Sequence, residues 1–319
     1  MEQRSLGTTG LRVSALGFGC GAVGGLMVRG DPAEQRRAVV SALEAGITYF
    51  DTAPGYGDGR SEENLGRVWR DLRPSGVVVG TKFRLDGADL RDIDGAICRS
   101  LGASLARLQF TRVDLLQVHN QIGSGDRALP PEIVLGPVIE TLHRLREEGS
   151  IGHFGITGMG DTAALLRVVD SGQIASTQAY HNAANPSAGY AGRAAGGQDF
   201  AGLIGRARER GVGVIVIRPL AAGALAGDAP VHPNASRETG AMGGTTFASN
   251  LSRAEHLSAL ATQYAAGPVD LALRFAMFTP GVSTTIVGFS EMRHLEQAIR
   301  VAEAGPLPEV AIQGILAAA

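Results

Sequence analysis

At 319 residues the chain is long enough for one large α/β domain or two ordinary ones. Hydrophobic residues make up 44%, enough for a sizeable core, and a formal charge of −2 from 29 Lys plus Arg against 31 Asp plus Glu excludes a disordered polyelectrolyte. The same balance argues against nucleic acid or an anionic membrane as a general partner.

The first residues, MEQRSLGTTGLRVSALGFG, lack the apolar segment and small-residue cleavage site of a secretory signal, and no run reaches membrane-spanning length, so a cytoplasmic protein is expected. Within them, RSLGTTGLRVS reads as a hairpin with a Thr-Gly turn that could plug one end of a barrel. Short β-branched runs then follow at regular intervals: VSALGFG (13–19), TYFDTA (48–53), VVVGTKF (77–83), VDLLQVH (113–119), HFGIT (153–157), ASTQAY (175–180), VGVIVIRP (212–219) and STTIVGF (283–289). Between them lie stretches of helical period such as AEQRRAVVSALEAG, SEENLGRVWRDL, IVLGPVIETLHRLREEGS and DFAGLIGRARERG, several closed by a C-terminal Gly. Eight such βα units predict a closed (β/α)8 TIM barrel with an N-terminal β-hairpin, a single domain over 1–319. The stretch 221–251, rich in Gly, Ala, Ser and Thr, breaks the rhythm and is expected to be a functional or mobile loop. Cys20 and Cys98 share no CxxC or His-paired ligand pattern, and both are expected to be reduced, buried thiols.

In a βα barrel the C-terminal strand ends converge on one face, where chemistry takes place. Asp51 ends the second run, Tyr56 follows in a Gly-rich loop, Lys82 ends the third run and His119 the fourth. Their chemistry is complementary. An ammonium pulls down the pKa of a neighbouring phenol, a carboxylate keeps a buried ammonium charged, and a neutral imidazole can donate a hydrogen bond to a carbonyl oxygen. Singly, each residue has an ordinary structural use as a cap, a surface phenol or a snorkelling lysine. Jointly they point to a catalytic centre. His143, His153, His181 and His232 share no ligand spacing with His119, and no metal is expected.

The motifs FDTAPGYGDGRSEENLG, VVVGTKF and VDLLQVHN resemble those of the aldo-keto reductases, and the resemblance covers nearly the whole chain. It implies an NAD(P)(H)-dependent oxidoreductase on a (β/α)8 barrel, with Tyr56 as general acid or base and Asp51, Lys82 and His119 beside it. It further implies a cofactor surface comprising Cys20, Asp51, Thr157, Gln178 on the carboxamide, Arg218, Pro219, Leu220, Ala222, Gly223 and Leu225 around the pyrophosphate, and Gly288, Ser290, His294 and Gln297 toward the adenosine. Several positions depart from the family pattern: Thr157-Gly158 stands for Ser-Asn, Ile217 for a stacking aromatic, Gln297-Ala298 for Glu-Asn, and His294 for an arginine. NADP(H) is the implied cofactor, with Arg293 available to a 2′-phosphate, and NAD(H) is the alternative. The GITG motif is similar to the branch containing L-galactose and pyridoxal dehydrogenases, so an NAD-linked sugar or pyridoxal dehydrogenase is a second reading. A cofactor-sensing partner protein, as among potassium-channel beta subunits, is a third. Asn120, Gln121, Ile122 and the Gly-rich stretch before Asn250 would line a pocket for a small polar substrate. Oligomeric state is not legible in the sequence.

Overall fold

The computed structural model describes residues 1–227, 232–236 and 243–319. Its centre is a closed parallel barrel formed by β3 (Leu16–Gly19), β4 (Tyr49–Asp51), β5 (Val78–Phe83), β6 (Val113–Val118), β9 (Ile151–Ile156), β10 (Ser176–Tyr180), β11 (Gly213–Ile217) and β12 (Thr284–Gly288). Seven of these strands fall within a run expected from the sequence, and β9 overlaps the fifth run, 153–157, but begins two residues earlier at Ile151. The runs were legible because strands buried on both faces read as continuous apolar, β-branched segments. β6 to β9 and β12 to β3 are among the pairings that close the ring. The short pair β7 (Gln121–Ile122) and β8 (Ala128–Leu129) lies in the loop after β6.

The first run does not form one strand. Its start belongs to the hairpin β1 (Gln3–Ser5) and β2 (Arg12–Ser14), which pair antiparallel, and only Leu16–Gly19 enters the barrel. The break comes at Ser14 and Ala15: Ser14 Oγ donates to Leu16 O at 2.6 Å, and Ala15 N turns back to Glu2 O at 2.9 Å. The hairpin closes the N-terminal mouth, as its position before the first unit suggested. Leu6 is fully buried with Val13, Tyr49, Val78, Leu115, Ile215 and Ile286 inside the barrel, and Thr8 N donates to Gly211 O.

The helices pack outside the ring, and their ends follow local chemistry. Helix Pro32–Glu44 starts on Asp31, whose side chain accepts from the amides of Ala33 and Glu34, with Pro at the first helical position. The expected helix from 133 to 150 is broken at its start by a π-turn, Val134–Val138, where Pro137 lacks an amide donor; regular helix runs from Ile139 to Glu147. The 199–211 stretch turns helical only at Leu203, after Gly202 at φ 72°. Part of the 221–251 segment is described: a 3₁₀ turn, Ala221–Ala226, and the first residues of helix Phe247–His256. Residues 232–236 and 243–246 are described as well, and 228–231 and 237–242 of the Gly-rich stretch expected to face substrate lie outside the described residues. Cys20 is buried, whereas Cys98 is only half-buried because it faces the rim pair Arg144 and Asp94; both are free thiols. Among the described residues no helix is long and apolar enough to cross a membrane, and no cluster of His, Cys, Asp and Glu could hold a metal.

Candidate active site

Strand register brings the four ionisable residues to one mouth. Asp51 pairs with Gly19 and Gly80, and Lys82 sits two residues beyond Gly80 along β5, opposite Gln117 of β6. Lys82 is 1% exposed and donates to Asp51 Oδ2 at 2.5 Å and to Thr52 O at 2.8 Å. The second carboxylate oxygen of Asp51 accepts from Gln178 Nε2 at 3.0 Å and from the Tyr49 hydroxyl at 3.2 Å. A buried ion pair costs desolvation and survives only when the remaining lone pairs are satisfied; Gln178 and Tyr49 satisfy them here. Tyr49 was not singled out from the sequence, where it reads as one more aromatic of a buried strand.

Tyr56 reaches the pair from the loop after β4. Three successive left-handed residues, Gly57, Asp58 and Gly59 at φ 66°, 52° and 88°, turn this loop, and glycine adopts that conformation without steric cost. The loop is fastened at its far end: Ser61 Oγ bonds Cys20 O and Thr52 Oγ1 at 2.8 Å each, and the fully buried Glu62 accepts from Thr81 Oγ1 at 2.6 Å and from Arg107 Nε at 2.7 Å. Lys82 Nζ stands 4.9 Å from the Tyr56 ring centroid, and the His119 ring meets that ring edge-on, centroids 5.9 Å apart at 88°.

Charge is set by burial and by these partners. Burial pushes the Asp51 carboxyl up, against the pull of Lys82 and its hydrogen bonds. For Lys82, burial opposes the charge, but the attraction of Asp51 and Tyr56 outweighs it and holds the ammonium above its ordinary value. The Tyr56 phenol is raised, which corrects the expectation of a depressed value: burial is the largest influence, and the Lys82 cation offsets only part of it. His119 is lowered to about 3 by burial and by the Lys82 and Arg84 cations, so its imidazole is neutral.

Other expected residues fall around the same mouth. Thr157, just beyond β9, is buried, and its Oγ1 finds no partner in the described structure. Gly158 is left-handed at φ 58°, and a Cβ there would lie 1.8 Å from Gln178 O. Cys20 is buried below, its thiol pushed up by burial. Arg218 follows β11 at φ 57°, Pro219 is buried, and Ala221, Ala222 and Gly223 are also left-handed, with Leu225 buried beneath the turn. Leu220 is half-buried. Gly288 is exposed at the end of β12, Ser290 is buried with its carbonyl on Asn234 Nδ2, and Gln297 is half-buried. His294 and Arg293 both turn to Glu291 Oε1, at 3.4 and 2.7 Å. Asn120 stands apart in role: it is 2% exposed and both amide atoms clamp the Leu85 backbone, at 2.7 and 2.9 Å. Ile122 is buried and Gln121 exposed. Sequence reasoning missed Glu62, Arg107 and Arg84. Alternation along β5 was the available signal for Arg84, two positions beyond Lys82.

The model of the aldo/keto reductase family matches residues 15–318. L-galactose dehydrogenase of Arabidopsis thaliana is 30% identical over 310 residues, 94% of this chain and 87% of that protein. The chain belongs to the aldo-keto reductase family. Pyridoxal 4-dehydrogenase of Microbacterium luteolum is 34% identical over 190 residues, 49% of this aldo-keto reductase and 55% of that protein. Among solved structures, the apo form of aldo-keto reductase AKR11C1 from Bacillus halodurans superposes with a TM-score of 0.70 at 26% identity, covering 100% of this chain and 96% of that one. This aldo-keto reductase is an oxidoreductase enzyme of a family that works with nicotinamide cofactors.

Proposed function

We propose that the enzyme transfers a hydride between a nicotinamide dinucleotide and the carbonyl or alcohol carbon of a small polar substrate, with Tyr56 as general acid in reduction and general base in oxidation. The observation that carries this reading is the buried chain in which Tyr49 and Gln178 hold Asp51, Asp51 holds Lys82, and Lys82 lies against Tyr56. A raised phenol is protonated at neutral pH and has a proton to give. As that proton moves from Tyr56 Oη to a substrate oxygen, negative charge develops on the phenol next to a cation that is already in place. Stabilisation of this kind acts mainly in the transition state. The neutral His119 orients the same oxygen as a hydrogen-bond donor. Oxidation runs the proton back along the same path.

The cofactor, when bound, supplies or takes up the hydride. The residues fit such a group. The orphaned Thr157 Oγ1 and the Gln178 amide suit a carboxamide, and Gly158 leaves the backbone bare beside them. Left-handed residues at Arg218, Ala221, Ala222 and Gly223 turn the backbone after β11, which would hold the pyrophosphate with Arg218, Pro219, Leu220 and Leu225 around it. Gly288, Ser290, His294 and Gln297 would meet the adenosine end, and Cys20 and Asp51 would floor the nicotinamide side. Asn120, with both amide atoms occupied, would shape the substrate pocket through the Leu85 backbone.

NADP(H) is the first candidate. One observation favours the second reading, an NAD-linked dehydrogenase: the Glu291 carboxylate already occupies Arg293 and His294, the bases a 2′-phosphate would need. Steady-state absorbance assays with NADPH and NADH over a panel of aldehydes, and with NADP and NAD over sugars and pyridoxal, test the proposal and both cofactors together. Turnover with at least one pair is expected. Tight cofactor binding without turnover in either direction would contradict it and favour the cofactor-sensing role.

A further inference from the structure

Neighbouring residues on β5 point to opposite sides. Lys82 enters the barrel toward Asp51, and Phe83 is fully buried in the core outside the ring. Arg84 is the first residue beyond β5 and is exposed, and continued alternation would return it to the lumen side, about 7 Å nearer the mouth than Lys82. Its Nη2 reaches across to the His119 carbonyl at 3.4 Å, and its charge helps to keep the His119 imidazole neutral. No carboxylate of the described residues lies within ion-pair distance of it. The nearest acid in the chain, Asp86, is turned to the amides of Ala88 and Asp89. Across the mouth, the half-buried Arg218 also lacks an acid partner among the described residues, and its charge acts on Tyr56. Lys82 is neutralised by Asp51, so among the described residues two cations at the mouth, Arg84 and Arg218, have no acid partner. The pyrophosphate accounts for Arg218. The proposed reaction has no use for Arg84.

We infer that the substrate carries an anionic group, a carboxylate or a phosphate ester, and that Arg84 receives it while the reacting oxygen lies between Tyr56 and His119. This rests on the hydride-transfer reading above and narrows its substrate class to short oxo- or hydroxy-acids and phosphorylated sugars. A planar guanidinium at the rim suits either anion through paired hydrogen bonds. Charge at the rim also attracts such substrates from solution.

The test compares the native enzyme with Arg84→Gln on two matched pairs: 4-carboxybenzaldehyde against benzaldehyde, and glyceraldehyde 3-phosphate against glyceraldehyde. The native enzyme should prefer the charged member of at least one pair, and which pair responds separates carboxylate from phosphate. Hydrogen bonds to charged groups predict that Arg84→Gln lowers kcat/KM for the charged member roughly 10- to 100-fold. That loss should exceed the loss on its neutral partner about tenfold, with Arg84→Lys recovering part of it. Equal losses within each pair, or a native preference for the neutral members, would overturn the inference. Calorimetric binding of benzoate and inorganic phosphate, with and without NADPH, decides the matter even if none of the four aldehydes is turned over. The hydride-transfer reading is then decided separately, by the wider panel of aldehydes, sugars and pyridoxal with both cofactors. Anion binding lost in Arg84→Gln would still support the site, and no binding of either anion would refute it.

Discussion

Lys82 is the residue on which the site's electrostatics turn. It is buried, yet stays charged because Asp51 lies at 2.5 Å and Thr52 O at 2.8 Å. Replacing it by Met removes the one cation in contact with the phenol, so Tyr56 should become harder to ionise and Asp51 should take up a proton. If Tyr56 is the acid, as proposed, loss of its proton sets the alkaline limb of kcat/KM for reduction, which should move to higher pH, and kcat should fall about 100-fold or more. A pH-rate profile of Lys82→Met against the native enzyme checks both. A limb that stays in place would remove Lys82 from the proton path. His119, already neutral with a value lowered to about 3, should contribute no acid limb near its ordinary 6.5. Reading the residues in sequence was enough to find this quartet, since each member sits at a strand end or in the loop next to one. It could not give the sign of the Tyr56 shift. Sequence shows which charge lies near a phenol but not how much water burial removes, and here burial wins.

At the scale of elements, the Tyr56 loop is held in position by a clamp far from the chemistry. Helix Arg60–Leu72 presents Glu62 to Thr81 on β5 and to Arg107 on helix Ile93–Leu108, tying the phenol's loop to the strand that carries Lys82. Arg107→Met leaves Glu62 buried and uncompensated. Breaking a buried pair in this way costs about 3–5 kcal/mol, so the midpoint of urea unfolding should drop markedly. A midpoint within error of the native value would show that Glu62 has another partner. This contact was not legible in the sequence because its members are 45 residues apart and separately look like surface charges of amphipathic helices. The same limit split the first run: VSALGFG has the composition of one strand, and only the backbone turn at Ala15 divides it between hairpin and barrel.

For the whole molecule, the eightfold alternation of short apolar runs and amphipathic helices was enough to fix the barrel, because ring closure follows from the number of units and the burial of both strand faces. The hairpin's place at the closed end, with Leu6 among the inward side chains, was legible for the same reason. Stability should follow the buried histidines. His119 and the fully buried His181 are both lowered to about 3 by burial, whereas in the unfolded chain they titrate near 6.5. Between these values the unfolded chain binds more protons, so stability is complete above pH 6.5 and is lost progressively as pH falls toward 3. Asp51, pushed up by burial, acts with the opposite sign. Thermal midpoints should therefore decline from pH 7 to pH 5, and His181→Asn should flatten the slope; an unchanged slope would assign the decline to other groups. The central claim is that a ring hydroxyl on the Gly-rich loop delivers the proton, and single-turnover hydride transfer from bound reduced cofactor in Tyr56→Phe tests it most directly. The account predicts a rate lowered about 100-fold or more with cofactor affinity within about threefold of native; transfer at the native rate would contradict it.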